Sequence, residues 1–148
     1  MIKNIVTLLL LVCFSLAAKE HTMLMQGKPG KPMFFEPTFL KIAPGDTVKF
    51  VSQMKGGGHN VQSFSQKASR PEGAKKWRSL INKDHVQKFE KPGFHLIKCN
   101  PHLAMGMVGA IQVGDDSSNL EAVKAFVAKK VRGKKAKATY EEIFSKLK

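Results

Sequence analysis

Short apolar segments separated by turn residues recur from about residue 21 to residue 113, and this pattern limits the fold more than any other feature. Residues 47–51 and 94–99 alternate between side chains of different polarity, as strands with one buried face do. Further strand candidates are residues 23–25, 33–35, 39–42 and 107–113. Closely spaced short strands predict a mainly β chain that folds as a β-sandwich.

Two Ser/Thr-x-x-Glu patterns stand near the C-terminus, one formed by Ser118 with Glu121 and the other by Thr139 with Glu142. Both fit the capping box that begins many helices, and apolar residues at helical spacing follow each of them. The chain is therefore predicted to end in two α-helices. The strongly basic residues 129–137 between them are expected to form a solvated linker.

The first 18 residues differ in character from the rest of the chain. Lys3 precedes an almost unbroken apolar run, and two alanines end it. The run is too short to span a bilayer, so we expect a cleavable secretory signal peptide at residues 1–18, cut after Ala17 or Ala18. Residues 19–148 are then one domain, long enough for a hydrophobic core, with a helical extension from about residue 117.

Removal of a signal peptide would leave Cys99 as the only cysteine, because Cys13 lies inside the apolar run. An intramolecular disulfide would then be impossible, and a lone thiol in an oxidising compartment is a liability unless something protects it. Binding of a metal would provide that protection. A structural zinc site usually has two or more cysteines, so one cysteine argues against zinc.

Cys99, His102 and Met107 are spaced as C-x2-H-x4-M between two strand candidates. A thiolate and a thioether favour Cu(I), whereas imidazoles also suit Cu(II), so this loop can supply ligands to a copper ion that changes oxidation state. Met105 offers the alternative spacing C-x2-H-x2-M. The axial ligand is therefore Met107 or Met105, and we favour Met107.

A fourth ligand has to come from another part of the chain. His59 is the best candidate because it follows three glycines in a predicted loop. Asn60 stands beside it and is expected to hydrogen-bond across to the cysteine segment, which would hold the two loops together.

These motifs resemble the small blue copper proteins, the cupredoxins, and within them the pseudoazurins. The resemblance covers nearly all of residues 19–148. The matching segments are residues 35–37 (FEP), 44–48 (PGDTV), 59–61 (HNV), 71–74 (PEGA), 91–93 (KPG), 98–99 (KC), 101–102 (PH) and 104–107 (AMGM). It implies a cupredoxin Greek-key β-sandwich in the periplasm, with two C-terminal α-helices.

The resemblance also implies a site and a function. One copper ion would be held by His59, Cys99, His102 and Met107, and three further residues would surround these ligands: Asn60, Pro101 and Met105. Such a protein carries electrons by cycling between Cu(I) and Cu(II), without catalysis of its own. Its redox partner would be a copper nitrite reductase or a haem-containing oxidoreductase. The alternative is a periplasmic copper-delivery protein, although delivery sites tend to be open and rich in Met or His.

We expect His102 to lie near the surface within a small apolar patch that contacts the partner. The partner patch is predicted to contain Leu103, Ala104, Met105 and Lys98. The net charge of +14 would steer an acidic partner towards it for transient docking. Candidate lysines for a docking ring are Lys31, Lys41, Lys55 and Lys98. Nucleic-acid binding is not expected, since no aromatic-interleaved basic pattern is present. We also expect no stable membrane insertion, and a monomer.

Overall fold

The computed structural model describes residues 17–54 and 56–147. Within these ranges the strands are β1 (Glu20–Gln26), β2 (Phe34–Glu36), β3 (Phe39–Ile42), β4 (Thr47–Ser52), β5 (Gln62–Ser63), β6 (His85–Lys88), β7 (Gly93–Lys98) and β8 (Val108–Val113). The helices are α1 (Leu120–Lys130) and α2 (Lys134–Ser145), with 3-10 turns at Lys67–Ser69 and Leu103–Met105. No helix in the described ranges is long and apolar enough to cross a bilayer. Most of the predicted signal peptide, residues 1–16, lies outside the described residues.

The strands form two four-stranded sheets, ordered β2-β1-β4-β6 and β3-β8-β7-β5. Strands β1 and β4 pair in parallel, as do β3 and β8, and the other pairs are antiparallel. From β2 to β7 consecutive strands alternate between the two sheets, so the chain crosses the sandwich repeatedly. The predicted mainly β sandwich with two C-terminal helices is confirmed.

The apolar core has two parts, one on each face of the second sheet. Between the sheets lie alternate residues of the strands, such as Phe50 of β4 and Ile97 of β7. On the outer face of the second sheet, Phe94 of β7 packs with Phe126 of α1 and Tyr140 of α2. Burying each such side chain contributes about 1.5–3 kcal/mol. The helices therefore bury the face of β7 and β8 that a two-layer sandwich would leave exposed.

Both predicted capping boxes are wrong. Helix α1 begins at Leu120 after Asn119, whose side chain docks on the start of β7: Oδ1 accepts the N–H of Phe94 and Nδ2 donates to its carbonyl, both at 2.9 Å. Thr139 lies inside α2, where its hydroxyl donates to the carbonyl of Lys135 at 3.0 Å. The start of α1 is thus set by the contact of Asn119 with β7, and Thr139 bonds within its own helix instead of capping one.

The predicted linker at residues 129–137 is also wrong, since α1 ends at Lys130 and α2 already begins at Lys134. Lys and Ala are strong helix formers, so a basic composition is compatible with helix. Val131 and Ala136 are buried against the second sheet and the helices. The junction between the helices is therefore short and packed.

Candidate metal centre

Three potential ligands from two loops meet at one end of the sandwich. His59 precedes β5, Cys99 directly follows β7, and His102 lies in the loop between β7 and β8. One donor atom from each lies within 4.8 Å of the other two. His59 and Cys99 are fully buried, whereas His102 is half-buried. In the described part of the chain this is the one group of three or more His, Cys, Asp or Glu side chains that could hold a metal.

Backbone hydrogen bonds close the loop from Cys99 to Met107. The N–H of Cys99 donates to the carbonyl of Met107 at 2.9 Å, and the N–H groups of Met105 and Met107 donate to the carbonyl of His102 at 3.0 and 3.2 Å. Gly106 turns the chain with φ +93°, a value that glycine adopts without strain. Met107 is fully buried in the same cluster as Cys99, but Met105 is 51% exposed.

The ring of His59 is oriented by the backbone of Gly27. Its Nε2 lies 2.8 Å from the carbonyl oxygen of Gly27, and because a carbonyl only accepts, Nε2 carries the proton. Nδ1 is buried and has no hydrogen-bond partner among the residues that the structure describes. In the neutral ring this nitrogen is left with a free lone pair, which is the state that a metal requires.

Gly57 lies directly against the same ring. A Cβ atom at Gly57 would stand 2.9 Å from both Cδ2 and Nε2 of His59, which is closer than a Cβ atom approaches another heavy atom without a shift of one of them. The glycine run before His59 therefore lets the backbone cover the imidazole. Sequence reasoning singled out these glycines but missed Gly27, whose carbonyl contact joins residues 32 positions apart.

The Cys99 sulfur has polar nitrogen atoms on two sides. Nδ1 of His102 is 3.4 Å from Sγ, and the backbone N–H of Asn60 donates to Sγ at 3.5 Å. Burial raises the pKa of the Cys99 thiol, while the Asn60 N–H acts in the opposite direction. Burial and, secondarily, the neighbouring His59 lower the pKa of His102, which favours a neutral imidazole.

Asn60 connects the two loops through its side chain. Oδ1 accepts the backbone N–H of Asn100 at 2.8 Å, and Nδ2 donates to Oε1 of Gln62 at 3.1 Å. The expected contact between Asn60 and the cysteine segment is therefore present. It fixes the position of His59 relative to Cys99.

The donor set suits copper. Two imidazoles and one cysteine sulfur meet here, the buried Nδ1 of His59 has no hydrogen-bond partner among the described residues, and the Met107 thioether lies in the same buried cluster as Cys99. Soft sulfur donors combined with imidazole are typical of copper sites that change oxidation state. A structural zinc site would need further cysteine or histidine ligands.

Three of the residues predicted for the partner patch, Leu103, Ala104 and Met105, directly follow His102 in a 3-10 turn. Pro101, Ala104 and Met105 are exposed and Leu103 is half-buried. Lys98 is also half-buried, with Nζ 5.0 Å from the Phe64 ring centroid, and burial lowers its pKa.

The helix junction borders this patch. A Cβ atom at Gly133 would lie 3.4 Å from Cα of Ala104, and one at Gly106 would lie 3.1 Å from Cβ of Lys135. Lys135, at the start of α2, therefore lies beside the loop from Cys99 to Met107, which we call the copper loop. Sequence reasoning missed this lysine because it placed residues 129–137 in a solvated linker.

The lysines proposed for a docking ring have different positions. Lys31 is exposed in the turn that follows Gly27. Lys41 forms an ion pair with Asp115 at 2.6 Å, at the end of β8 that is distant from the copper loop. Lys41 is therefore not a member of such a ring, and Lys55 lies outside the described residues.

Comparisons with known proteins agree with this geometry. The family model "Copper binding proteins, plastocyanin/azurin family" matches residues 21–114. The pseudoazurin of Paracoccus pantotrophus is 43% identical over 117 residues, which cover 78% of this chain and 77% of that protein.

Two solved structures are also similar. The pseudoazurin of Methylobacterium extorquens AM1 has a TM-score of 0.75 at 34% identity, covering 87% of this chain and 99% of that chain. A pseudoazurin from Sinorhizobium meliloti has a TM-score of 0.74 at 42% identity, covering 86% and 94%. The chain therefore belongs to the plastocyanin/azurin family of copper-binding proteins, and within it to the pseudoazurins, which are copper-containing electron carriers and not enzymes.

Proposed function

We propose that the protein is a periplasmic electron carrier that holds one copper ion through His59, Cys99, His102 and Met107. The observation that carries this proposal is the meeting of His59, Cys99 and His102, each of which brings one donor atom within 4.8 Å of the other two, while the buried Nδ1 of His59 has no hydrogen-bond partner among the described residues. When bound, copper supplies one-electron chemistry between Cu(I) and Cu(II). The N-terminal apolar run supports export.

The protein would hold its ligands in one arrangement for both oxidation states. The carbonyl of Gly27 fixes the His59 ring, and Asn60 connects the two ligand loops. The backbone bond between Cys99 and Met107 closes the second loop. Because Cys99, His59 and Met107 are fully buried, water is kept away from the sulfur, and little rearrangement would accompany electron transfer.

His102 is the proposed exit for the electron. Its Nδ1 faces Cys99 Sγ at 3.4 Å, while the half-buried ring reaches the surface. Pro101, Ala104 and Met105 would provide the small apolar contact that lets a partner approach closely and then leave.

The proposed partner is an acidic-surfaced redox protein, such as a copper nitrite reductase or a haem-containing oxidoreductase. The net charge of +14 supports this choice, because a basic protein is steered towards acidic surfaces. Lys135, at the start of α2, lies against Gly106 of the copper loop, so part of this charge stands beside the proposed exit. We propose that the protein acts as a monomer, which leaves the patch free for transient docking.

Stopped-flow mixing of the Cu(I) protein with an oxidised copper nitrite reductase tests this function. We expect second-order electron transfer that slows as salt screens the attraction. Lys135→Glu should slow the reaction at low salt more than Lys88→Glu, which changes the net charge equally but lies on β6. Absence of transfer to this enzyme and to a haem-containing acceptor, or a rate that rises with salt, would contradict the proposal.

A further inference from the structure

Leu80 and Ile81 are unusually exposed for large apolar side chains. They are 72% and 53% exposed and stand next to each other in the loop before β6. We call this pair the Leu80 lobe. Single exposed apolar residues are ordinary on a protein surface, but an adjacent pair at a functional end is a candidate contact site.

Hydrogen bonds on both sides attach the lobe to the His59 loop. The N–H of Ser79 donates to the carbonyl of Val61, and the Ser79 hydroxyl accepts the Val61 N–H, both at 2.9 Å. After the lobe, the N–H of Asn82 donates to the carbonyl of His59, and its Oδ1 accepts the N–H of Gly58, both at 2.8 Å. The lobe is therefore fixed relative to the candidate copper site.

A shallow recess of about 220 Å³ links the lobe to the copper loop. Leu80 and Ile81 line it together with Asn100 and Pro101. Pro101 immediately precedes His102. The lobe is thus continuous with the surface through which the electron is proposed to leave, and the lining of the recess does not include Met105.

Exposed cations stand on both sides of the lobe. Arg78 precedes it and Lys83 follows it, and neither forms an ion pair within the described part of the chain. A surface with an apolar centre and free cations at its rim complements a protein that has an apolar contact surrounded by carboxylates. Insertion into a membrane would need a longer apolar face than two residues provide.

We propose that Leu80 and Ile81 form a second apolar contact of the docking face and are covered by the acidic-rimmed electron acceptor. This inference rests on the proposed function and extends it. Interfaces of electron-transfer complexes are small, so two large apolar side chains would make up a substantial share of the buried contact. The acceptor would then lie over both flanks of His102 rather than over the Met105 side alone.

The test uses the copper-loaded protein and the stopped-flow assay with copper nitrite reductase. We expect the double variant Leu80→Ser with Ile81→Ser to lower the second-order rate constant about tenfold. Val86→Ser is the matched control, because Val86 is 51% exposed on β6, and it should leave the rate within about twofold. Leu80→Met keeps the apolar area and should also retain the rate.

The visible spectrum of each variant reports whether the copper site is intact, and it should not change, since Ser79 and Asn82 remain in place. The inference is overturned if the wild-type protein transfers electrons and the double variant does so equally fast. It is also overturned if the variant loses only binding to phosphatidylglycerol vesicles, which would assign the lobe to membranes. If the wild-type protein transfers no electrons, the proposed function fails and this inference fails with it.

Discussion

Replacing Asn60 with alanine should weaken the connection between the two loops that carry the candidate ligands. In the folded protein, Asn60 Oδ1 accepts the N–H of Asn100 at 2.8 Å, and Nδ2 donates to Gln62 at 3.1 Å. Alanine removes both bonds and leaves the Asn100 N–H without its partner. The variant is therefore expected to be less stable than the wild-type protein, with or without copper.

The size of the effect follows from these contacts. An unpaired, partly buried backbone N–H costs about 1–3 kcal/mol, and a lost side-chain bond about 1 kcal/mol. Since water reaches part of this region, we expect a loss of about 2 kcal/mol in the free energy of unfolding. For a domain of this size that corresponds to a fall of about 6 °C in the melting temperature.

Urea unfolding of the metal-free protein measures this loss without a contribution from copper binding. Gln62→Ala is the matched control, because it removes only the bond to Asn60 Nδ2, and it should cost less than about 1 kcal/mol. If Asn60→Ala unfolds at the same urea concentration as the wild-type protein, the bond to Asn100 does not hold the loops together.

Three further changes test other parts of the structure. Tyr140→Phe removes a buried hydroxyl that donates to a β7 carbonyl at 2.7 Å, so urea unfolding should show a loss of about 1–2 kcal/mol; an unchanged midpoint would contradict this. Gly57→Ala places a Cβ against the His59 ring, and chelator competition should show weaker copper binding than in the wild-type protein. Hydrogen bonds from the backbone N–H of Lys19 and, to a lesser extent, with the side chain of His21 lower the pKa of Asp46 below its ordinary value of 3.8. The stabilisation that ionised Asp46 provides is present above pH 3.8 and is lost as the pH falls through the folded-state pKa. Asp46→Asn should therefore flatten the pH dependence of the free energy of unfolding over that pH range.

Local sequence patterns predicted the strands whose side chains alternate. The predicted segment 39–42 coincides with β3, and the segment 47–51 falls within β4. Two strands were missed for physical reasons: β5 has two residues, and β6 is largely polar because it lies at a sheet edge. Neither contains enough apolar periodicity to be recognised.

In the candidate site, too, some features follow from the local sequence and others depend on contacts between distant residues. Spacing alone grouped Cys99 and His102, and the glycine run pointed to His59. The contact of His59 with the carbonyl of Gly27 depends on how β1 pairs within the sheet, and no local pattern encodes it. The helix junction was misplaced because its burial depends on contacts with the second sheet.

A crystal structure of the copper-loaded protein, with anomalous scattering measured at the copper edge, tests the proposed ligand set most directly. We expect one copper ion per chain, bound by Nδ1 of His59, Sγ of Cys99, Nδ1 of His102 and the thioether of Met107. A copper ion bound through Met105 in place of Met107, or a metal away from these four residues, would contradict the proposed site.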